Sequence, residues 1–380
     1  MTRLRILHGG RRFRWLWLLL LALIVGAGVL RMQSRPELTD ASLGSLSEAN
    51  GVCVAAVATL RRAVVDVVQT SRCESSQALS EPVVFQAASL GKPVFAYAVL
   101  KLVEEGRFDL DAPLARYLPA GYVHLQQPFD PGESAATDLL PASQLRKVTA
   151  RQILTHTSGL PNWADGTLDF EFQPGSAWRY SGEGYLLLQS AVEAASGADF
   201  NAFMQARVFE PLAMTDSSYV WVDGYQRRFA SGFLSNGQEA RGQQFHSAVS
   251  AATLYTTAED YARFFGAVLA DPQAVRTIRD APVEVAPELG FAWGLGWGLW
   301  QGEGEEFIWH WGDNPGFKAF AVASLRTGDG VVILTNSDDG LELAEAVIET
   351  AMTQATGVFR FYMLRNGMHR VVCRKLGWCF

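Results

Sequence analysis

A chain of 380 residues that is 49% hydrophobic can bury a full core, and with 19% charged residues and no low-complexity tract it is not a disordered protein. No internal repeat of solenoid or propeller period runs through it. Residues 1–31 carry a local charge of +6 and residues 359–380 one of +5, so 32–358 hold −18 within a net −7. An acidic body repels a phosphate backbone, which excludes nucleic acid as an expected partner.

In chain order, the apolar run over residues 15–30 follows an arginine-rich head. That pattern predicts a single-pass anchor over 1–31 in an inner membrane, with the N-terminus cytoplasmic and the rest facing the periplasm or cell exterior. A cleaved signal peptide is the competing reading, because Gly26-Ala27-Gly28 ends the run; the lack of a clean A-x-A site favours the anchor. Residues 32–48 are polar and read as a linker to a body over 49–357. Two Val/Ala-rich runs, 51–60 and 63–69, predict a β-hairpin, and 90–105 has helical spacing with Gly106 as its stop. Helical runs follow at 184–195, 200–208 and 257–269, the last with Glu259 and Asp260 in its first turn. Three β-prone runs, 307–311, 317–325 and 331–335, precede a final amphipathic helix over 341–356. Strands at both ends with helices between predict an α+β fold: a mainly antiparallel sheet flanked by helices, with a mostly helical insertion. Residues 358–380 alternate basic with aromatic or aliphatic side chains. They suit an interfacial strip on an anionic membrane surface, or a tail packed on the acidic body.

The four cysteines, Cys53, Cys73, Cys373 and Cys379, form no C-x-x-C and no zinc-spaced cluster with histidine. Outside the cytoplasm Cys53–Cys73 and Cys373–Cys379 are the pairings of shortest loop; buried free thiols are the alternative. No metal and no cofactor are expected. His8, His124, His246 and His369 show no ligand spacing.

Chemistry gathers at Ser89-Leu90-Gly91-Lys92, at the start of the helix expected over 90–105. Residues i and i+3 share a helix face, so hydroxyl and amine can meet, and burial near a helix N-terminus lowers a lysine's pKa. It is the only Ser-x-x-Lys in a chain with five lysines, although Ser89 as an ordinary N-cap fits the same spacing. Tyr180-Ser181-Gly182 follows about 90 residues later, and His310-Trp311-Gly312 lies on an expected strand near the C-terminus.

With these three motifs in this order the chain resembles the serine β-lactamase-related superfamily in its class C-like branch, which includes class C β-lactamases, D-stereospecific peptidases and esterases. The resemblance spans about 51–357 and includes FQAASLGKPVFAYAVLKLVEEGRFDLDAPLARYLP (85–119), ILTHTSGLP (153–161), WRYSGEGYLLLQSAVEAASG (178–197), LYTTAEDYARFF (254–265), GLGWG (294–298) and HWGDNPGF (310–317). It implies that Ser89 forms an acyl-enzyme, that Lys92 and Tyr180 share the general base and acid work, and that His310 lines the pocket. It also implies an oxyanion hole from the backbone N–H groups of Ser89 and Asp313, with Gly312 letting substrate approach the strand.

Two departures stand out. Gly182 occupies the position where β-lactamases carry an asparagine that donates to the substrate amide, and Trp311 occupies that of a small hydroxyl residue. Neither suits efficient β-lactam hydrolysis. The expected substrate is a small-molecule or peptide ester or amide, with an esterase ahead of a D-amino peptidase. The alternatives are an acylatable β-lactam or peptidoglycan-fragment sensor without turnover, and a true class C-like β-lactamase. Glu183 reads as a solvated acid, His156 and Ser158 as structural, and the tryptophans between Phe291 and Phe317 as either an acyl pocket or core.

Overall fold

The computed structural model describes residues 38–61, 64–72, 81–129, 135–242 and 244–364. The anchor expected over 15–30 lies outside these residues. Among the described residues no helix is long and apolar enough to cross a membrane.

From Thr39 onward the chain builds an eight-stranded antiparallel sheet in the order β2-β1-β12-β11-β10-β9-β8-β7. Its strands are β1 (Val54–Arg61), β2 (Val64–Ser71), β7 (Val283–Ala286), β8 (Phe291–Trp293), β9 (Gly298–Gln301), β10 (Glu306–Asn314), β11 (Phe317–Ser324) and β12 (Gly330–Thr335). Two ribbons stand apart, β3 (Phe85–Ala88) with β6 (Leu254–Thr256), and β4 (Tyr122–Leu125) with β5 (Thr137–Leu140). The helices of ten residues or more are α1 (Asp40–Ala49), α2 (Gly91–Glu104), α3 (Glu183–Ser196), α4 (Ala258–Ala270) and α5 (Gly340–Ala351).

The expected hairpin and terminal strands are present, and the first and last strands of the sheet are neighbours, β1 pairing with β12 in register Ala55↔Thr335. Helix α1 begins inside the stretch read as linker. Thr39 and Ser42 close a capping box there, and Leu43 is buried, so the polar composition hides a short docked helix. The run at 200–208 is helical only to Met204, after which the backbone widens into a π-type turn over Gln205–Phe209. The last expected helix stops at Ala351 and continues as a 3-10 segment, Thr353–Arg360.

Side chains alternate across a strand, and here the alternation sorts two cores. Val54, Ala56, Ala58 and Leu60 of β1 join Ile308, Ala319, Ala321, Val332 and Leu334 in the main core, shared with α2, α3 and α4. Burying a side chain of valine or leucine size contributes roughly 1.5–3 kcal/mol. Trp309, Trp311 and Phe320 point to the opposite face, since Trp311 stands directly across from Phe320. His310 and Gly312 therefore face the main core. That parity decides what surrounds Ser89.

Candidate active site

Ser89 follows β3 and precedes α2, in a turn entered through Ala88 at φ +50°. A left-handed alanine costs roughly 1–2 kcal/mol, and here it marks the sharp turn between β3 and α2 on which Ser89 sits. Leu90, not Ser89, is the N-cap of α2, and no side chain caps that helix. The Ser89 hydroxyl instead donates to the Ala251 carbonyl at 3.1 Å and accepts from Lys92 Nζ at 2.9 Å. An ordinary capping role is excluded. Ser89 remains partly exposed while its neighbours are buried.

Lys92 is fully buried, and Nζ also donates to Ala251 O at 2.8 Å. No carboxylate pairs with it among the described residues, and burial holds the amine well below its ordinary pKa. The rings of Tyr180 and Tyr185 lie 4.7 and 5.6 Å from Nζ. The Ala251 carbonyl has no signature in the sequence. Its loop is fixed by Ser250 Oγ donating to Tyr185 O, by Gln189 accepting from Ser250 N, and by Thr253 Oγ1 donating to Tyr219 O.

Tyr180 is buried, and burial drives its phenol above the ordinary range, with Ser89 the one neighbour pulling it back. The contact with Ser89 falls short of hydrogen-bond geometry, and the phenol oxygen has no formed partner among the described residues. Ser181 donates its hydroxyl to Pro161 O and accepts from Gly184 N, which makes it a brace for the start of α3. Its backbone N–H donates to His156 Nδ1 at 3.1 Å. His156 is thereby the Nε2–H tautomer, fully buried, 4.3 Å from the Tyr180 ring. It packs under the site as well as closing its turn, a role that the reading of HTSGL as structural left out. Ser158 merely accepts from Leu160 N.

His310 is also fully buried. Its Nδ1 lies 2.7 Å from Trp311 O, a distance that assigns the proton to Nδ1 and leaves Nε2 as a bare acceptor with no partner among the described residues. Burial, reinforced by the nearby Lys92, lowers its pKa to about 3. Burial thus disfavours the charged forms of both imidazoles and of the amine around Ser89. Trp311 lies on the other face of β10, yet at the strand's open end its indole reaches round to 4.9 Å from the Tyr180 ring.

The structure accounts for both glycines differently from the sequence. A Cβ on Gly312 would lie 2.1 Å from Ala87 O, so β3 itself, not a substrate, takes up the close approach. Asp313 is tied to Lys318 Nζ at 2.9 Å, and Lys318 reaches Asp338 at 2.8 Å. At Gly182 a Cβ would meet Asn162 O at 2.7 Å and the Trp163 ring at 2.9 Å. The side chain that Gly182 lacks has no room. Trp163, 38% exposed, stands in its place with Phe129 5.0 Å away.

Glu183 is buried, not solvated. It opens α3, where a carboxylate meets free N–H groups and the positive end of the helix. Oε1 accepts from Ala164 N at 2.9 Å, and Oε2 lies 3.4 Å from His124 Nε2, an ion-pair distance without hydrogen-bond alignment. His124 in turn lies 2.7 Å from Asp138. Burial raises the Glu183 pKa against the pull of Ala164 N–H and His124. The chain Asp138–His124–Glu183 pins the tyrosine motif to the β4–β5 ribbon. Histidine spacing alone gave no hint of it, because its partners are 14 and 59 residues away.

The tryptophans between Phe291 and Phe317 form packed walls. Trp293, Trp297 and Trp309 are fully buried. Trp293 lies 5.1 Å from His156 and 5.5 Å from His310, whereas Trp297 stacks on Phe265 far into the main core. Residues 358–364 of the C-terminal segment, weighed as an interfacial strip, are instead partly interior: Phe359 and Phe361 are buried and only Tyr362 presents a large exposed ring. Residues 365–380 lie outside the described residues. Among the described residues no group of acids, cysteines and histidines could hold a metal ion.

The Beta-lactamase family model matches residues 42–352. Esterase EstB of Burkholderia gladioli is 29% identical over 60% of the chain and 68% of its own length. Penicillin-binding protein 4* of Bacillus subtilis is 23% identical over 70% of the chain, which spans 64% of that relative's length. Among solved structures, a D-stereospecific amidohydrolase from Streptomyces superposes with a TM-score of 0.65 at 18% identity, covering 83% of this chain and 98% of that one.

Proposed function

The chain belongs to the beta-lactamase family and is a serine hydrolase of that fold, and from this we propose that it hydrolyses esters of apolar acyl groups through an acyl-enzyme on Ser89. The observation that carries the proposal is a fully buried lysine, with no acidic partner among the described residues, 2.9 Å from the serine oxygen. An amine kept neutral by burial is a base at ordinary pH. The hydroxyl proton turns from Ala251 O to the Lys92 lone pair as Oγ bonds to the acyl carbon. Tyr180, its phenol held protonated, gives its proton to the departing alkoxide and is reprotonated from Lys92. Water then attacks the ester carbon, returning the acid product and the Ser89 hydroxyl. The backbone N–H groups of Ser89 and Asp313 receive the oxyanion.

Ester ranks above amide and β-lactam because the donor beside the tyrosine is missing and its space is filled by Trp163. The name of the Burkholderia relative points the same way. The body is held at the outer face of an inner membrane by residues 15–30. Cys53 is disulfide-bonded, and this supports an oxidising compartment.

The test uses the full chain in detergent, with a short-chain aryl ester and a chromogenic cephalosporin followed through burst and steady state. Steady ester turnover, lost in Ser89→Ala, is the expected result. A stoichiometric burst without turnover would replace the esterase by a sensor. Faster cephalosporin than ester turnover would make it a β-lactamase.

A further inference from the structure

Phe361 lies beyond the span matched by the family, yet it is buried among the rings that wall the active site. Its ring centroid is 6.0 Å from Trp311, 6.1 Å from Trp178 and 6.4 Å from Trp293. Each of those three rings touches the site or the histidine packed beneath it. Trp311 lies 4.9 Å from Tyr180, Trp178 lies 6.1 Å from His156, and Trp293 lies 5.1 Å from His156 and 5.5 Å from His310. One phenylalanine therefore backs a run of three indoles, in which Trp293 touches Trp178 at 5.5 Å and Trp311 at 6.2 Å.

The backing matters because the Tyr180 hydroxyl has no formed hydrogen bond among the described residues to aim it. Its position is set by what its ring packs against. The segment that delivers Phe361 is itself seated firmly. Ala355 and Val358 are fully buried, a Cβ on Gly357 would lie 2.2 Å from the Trp300 ring, and Phe359 packs 4.7 Å from Phe320, the cross-strand partner of Trp311.

We propose that Phe361 is a positioning residue of this active site: the segment 353–364 wedges it behind Trp311, Trp293 and Trp178, and so fixes the phenol of Tyr180 over Ser89. The inference rests on the acyl-enzyme reading. In Phe361→Ala the three indoles lose their common support, Trp311 can tilt into the space, and the proton donor drifts from its place. Substrate binding at the cleft mouth is not touched. The loss falls on kcat and not on KM.

The experiment compares the full chain in detergent with Phe361→Ala, Phe361→Leu and Leu343→Ala. The last removes a buried side chain of α5 that has no part in the site. All are measured well below their melting temperatures. Two readouts are taken: kcat and KM on the aryl ester, and the rate at which a fluorophosphonate probe labels Ser89. In that labelling the Oγ–P bond forms, the P–F bond breaks, fluoride leaves and Lys92 takes the hydroxyl proton. Phe361→Ala should lower kcat roughly tenfold or more with KM little changed, as expected for an ångström-scale misplacement. Phe361→Leu, which refills most of the space, and Leu343→Ala should stay within about twofold of the parent. Labelling needs the Ser89–Lys92 pair but no leaving-group proton from Tyr180, so it should slow less than kcat in Phe361→Ala. Equal kcat in Phe361→Ala and Leu343→Ala would overturn the proposal. A parent chain that neither labels at Ser89 nor turns over ester would sink the acyl-enzyme reading itself, and the inference with it.

Discussion

Burial disfavours the charged forms of Lys92 and His310, and that shared condition bears on both rate and stability. A base must be deprotonated to work, so kcat/KM should rise with pH through the lowered pKa of Lys92. Lys92→Arg should not restore activity, because a guanidinium stays charged in any such pocket. Lys92→Met should abolish turnover while leaving the melting temperature unchanged or raised, since it removes a buried amine and keeps the volume. For His310 the folded pKa of about 3 lies below the ordinary 6.5, so the unfolded chain takes up the proton first. Its contribution is intact above pH 6.5 and is lost as pH falls toward 3, at about 1.4 kcal/mol per unit. Melting curves from pH 7.5 to 4.5 should therefore fall less steeply for His310→Gln than for the parent. Equal slopes would mean that this imidazole is not held neutral. Ser89, Lys92, Tyr180 and His310 were legible because motif spacing names residue types. Ala251 O was not, since a backbone carbonyl leaves no trace in the alphabet.

At the scale of elements, the turn after β3 and the start of α3 meet because β10 accepts β3 against Gly312 and the tyrosine motif is anchored through Glu183. Restoring a β-lactamase-like asparagine at position 182 should fail for steric reasons. Gly182→Asn pushes a side chain into Asn162 O and Trp163, and overpacking of this kind costs roughly 1–3 kcal/mol. A lowered melting temperature without cephalosporin turnover is the expected outcome. Adding Trp163→Ala should relieve only part of the clash, because Asn162 O is a backbone atom that stays 2.7 Å from the new Cβ. Strand and helix identities were readable from composition and end signals, as in the Val/Ala-rich runs of β1 and β2 and the acids in the first turn of α4. Burial of polar groups was not. Glu183 looked solvated because its partners, Ala164 N–H and His124, come from distant turns. Helix α1 was hidden by a composition suited to linkers and revealed only by its capping box.

At the scale of the body, the sheet's first and last strands pair, β1 against β12, so removing either takes away an interior strand and not an edge. The C-terminal 3-10 segment adds to this body, which the sequence could not show, because buried Phe359 and Phe361 alternate with charge as an amphipathic surface strip would. The proposed anchor over 15–30 makes a separate prediction. The full chain should sediment with membranes after a high-salt wash and enter solution with detergent, and release by salt alone would refute the anchor. The central claim is an acyl-enzyme on Ser89, and intact mass spectrometry during turnover of a slowly deacylating aryl ester tests it most directly. A mass gain of one acyl group, mapped to the peptide carrying Ser89 and absent in Ser89→Ala, is the result expected. Turnover persisting in Ser89→Ala, or an acyl group found on another residue, would contradict it.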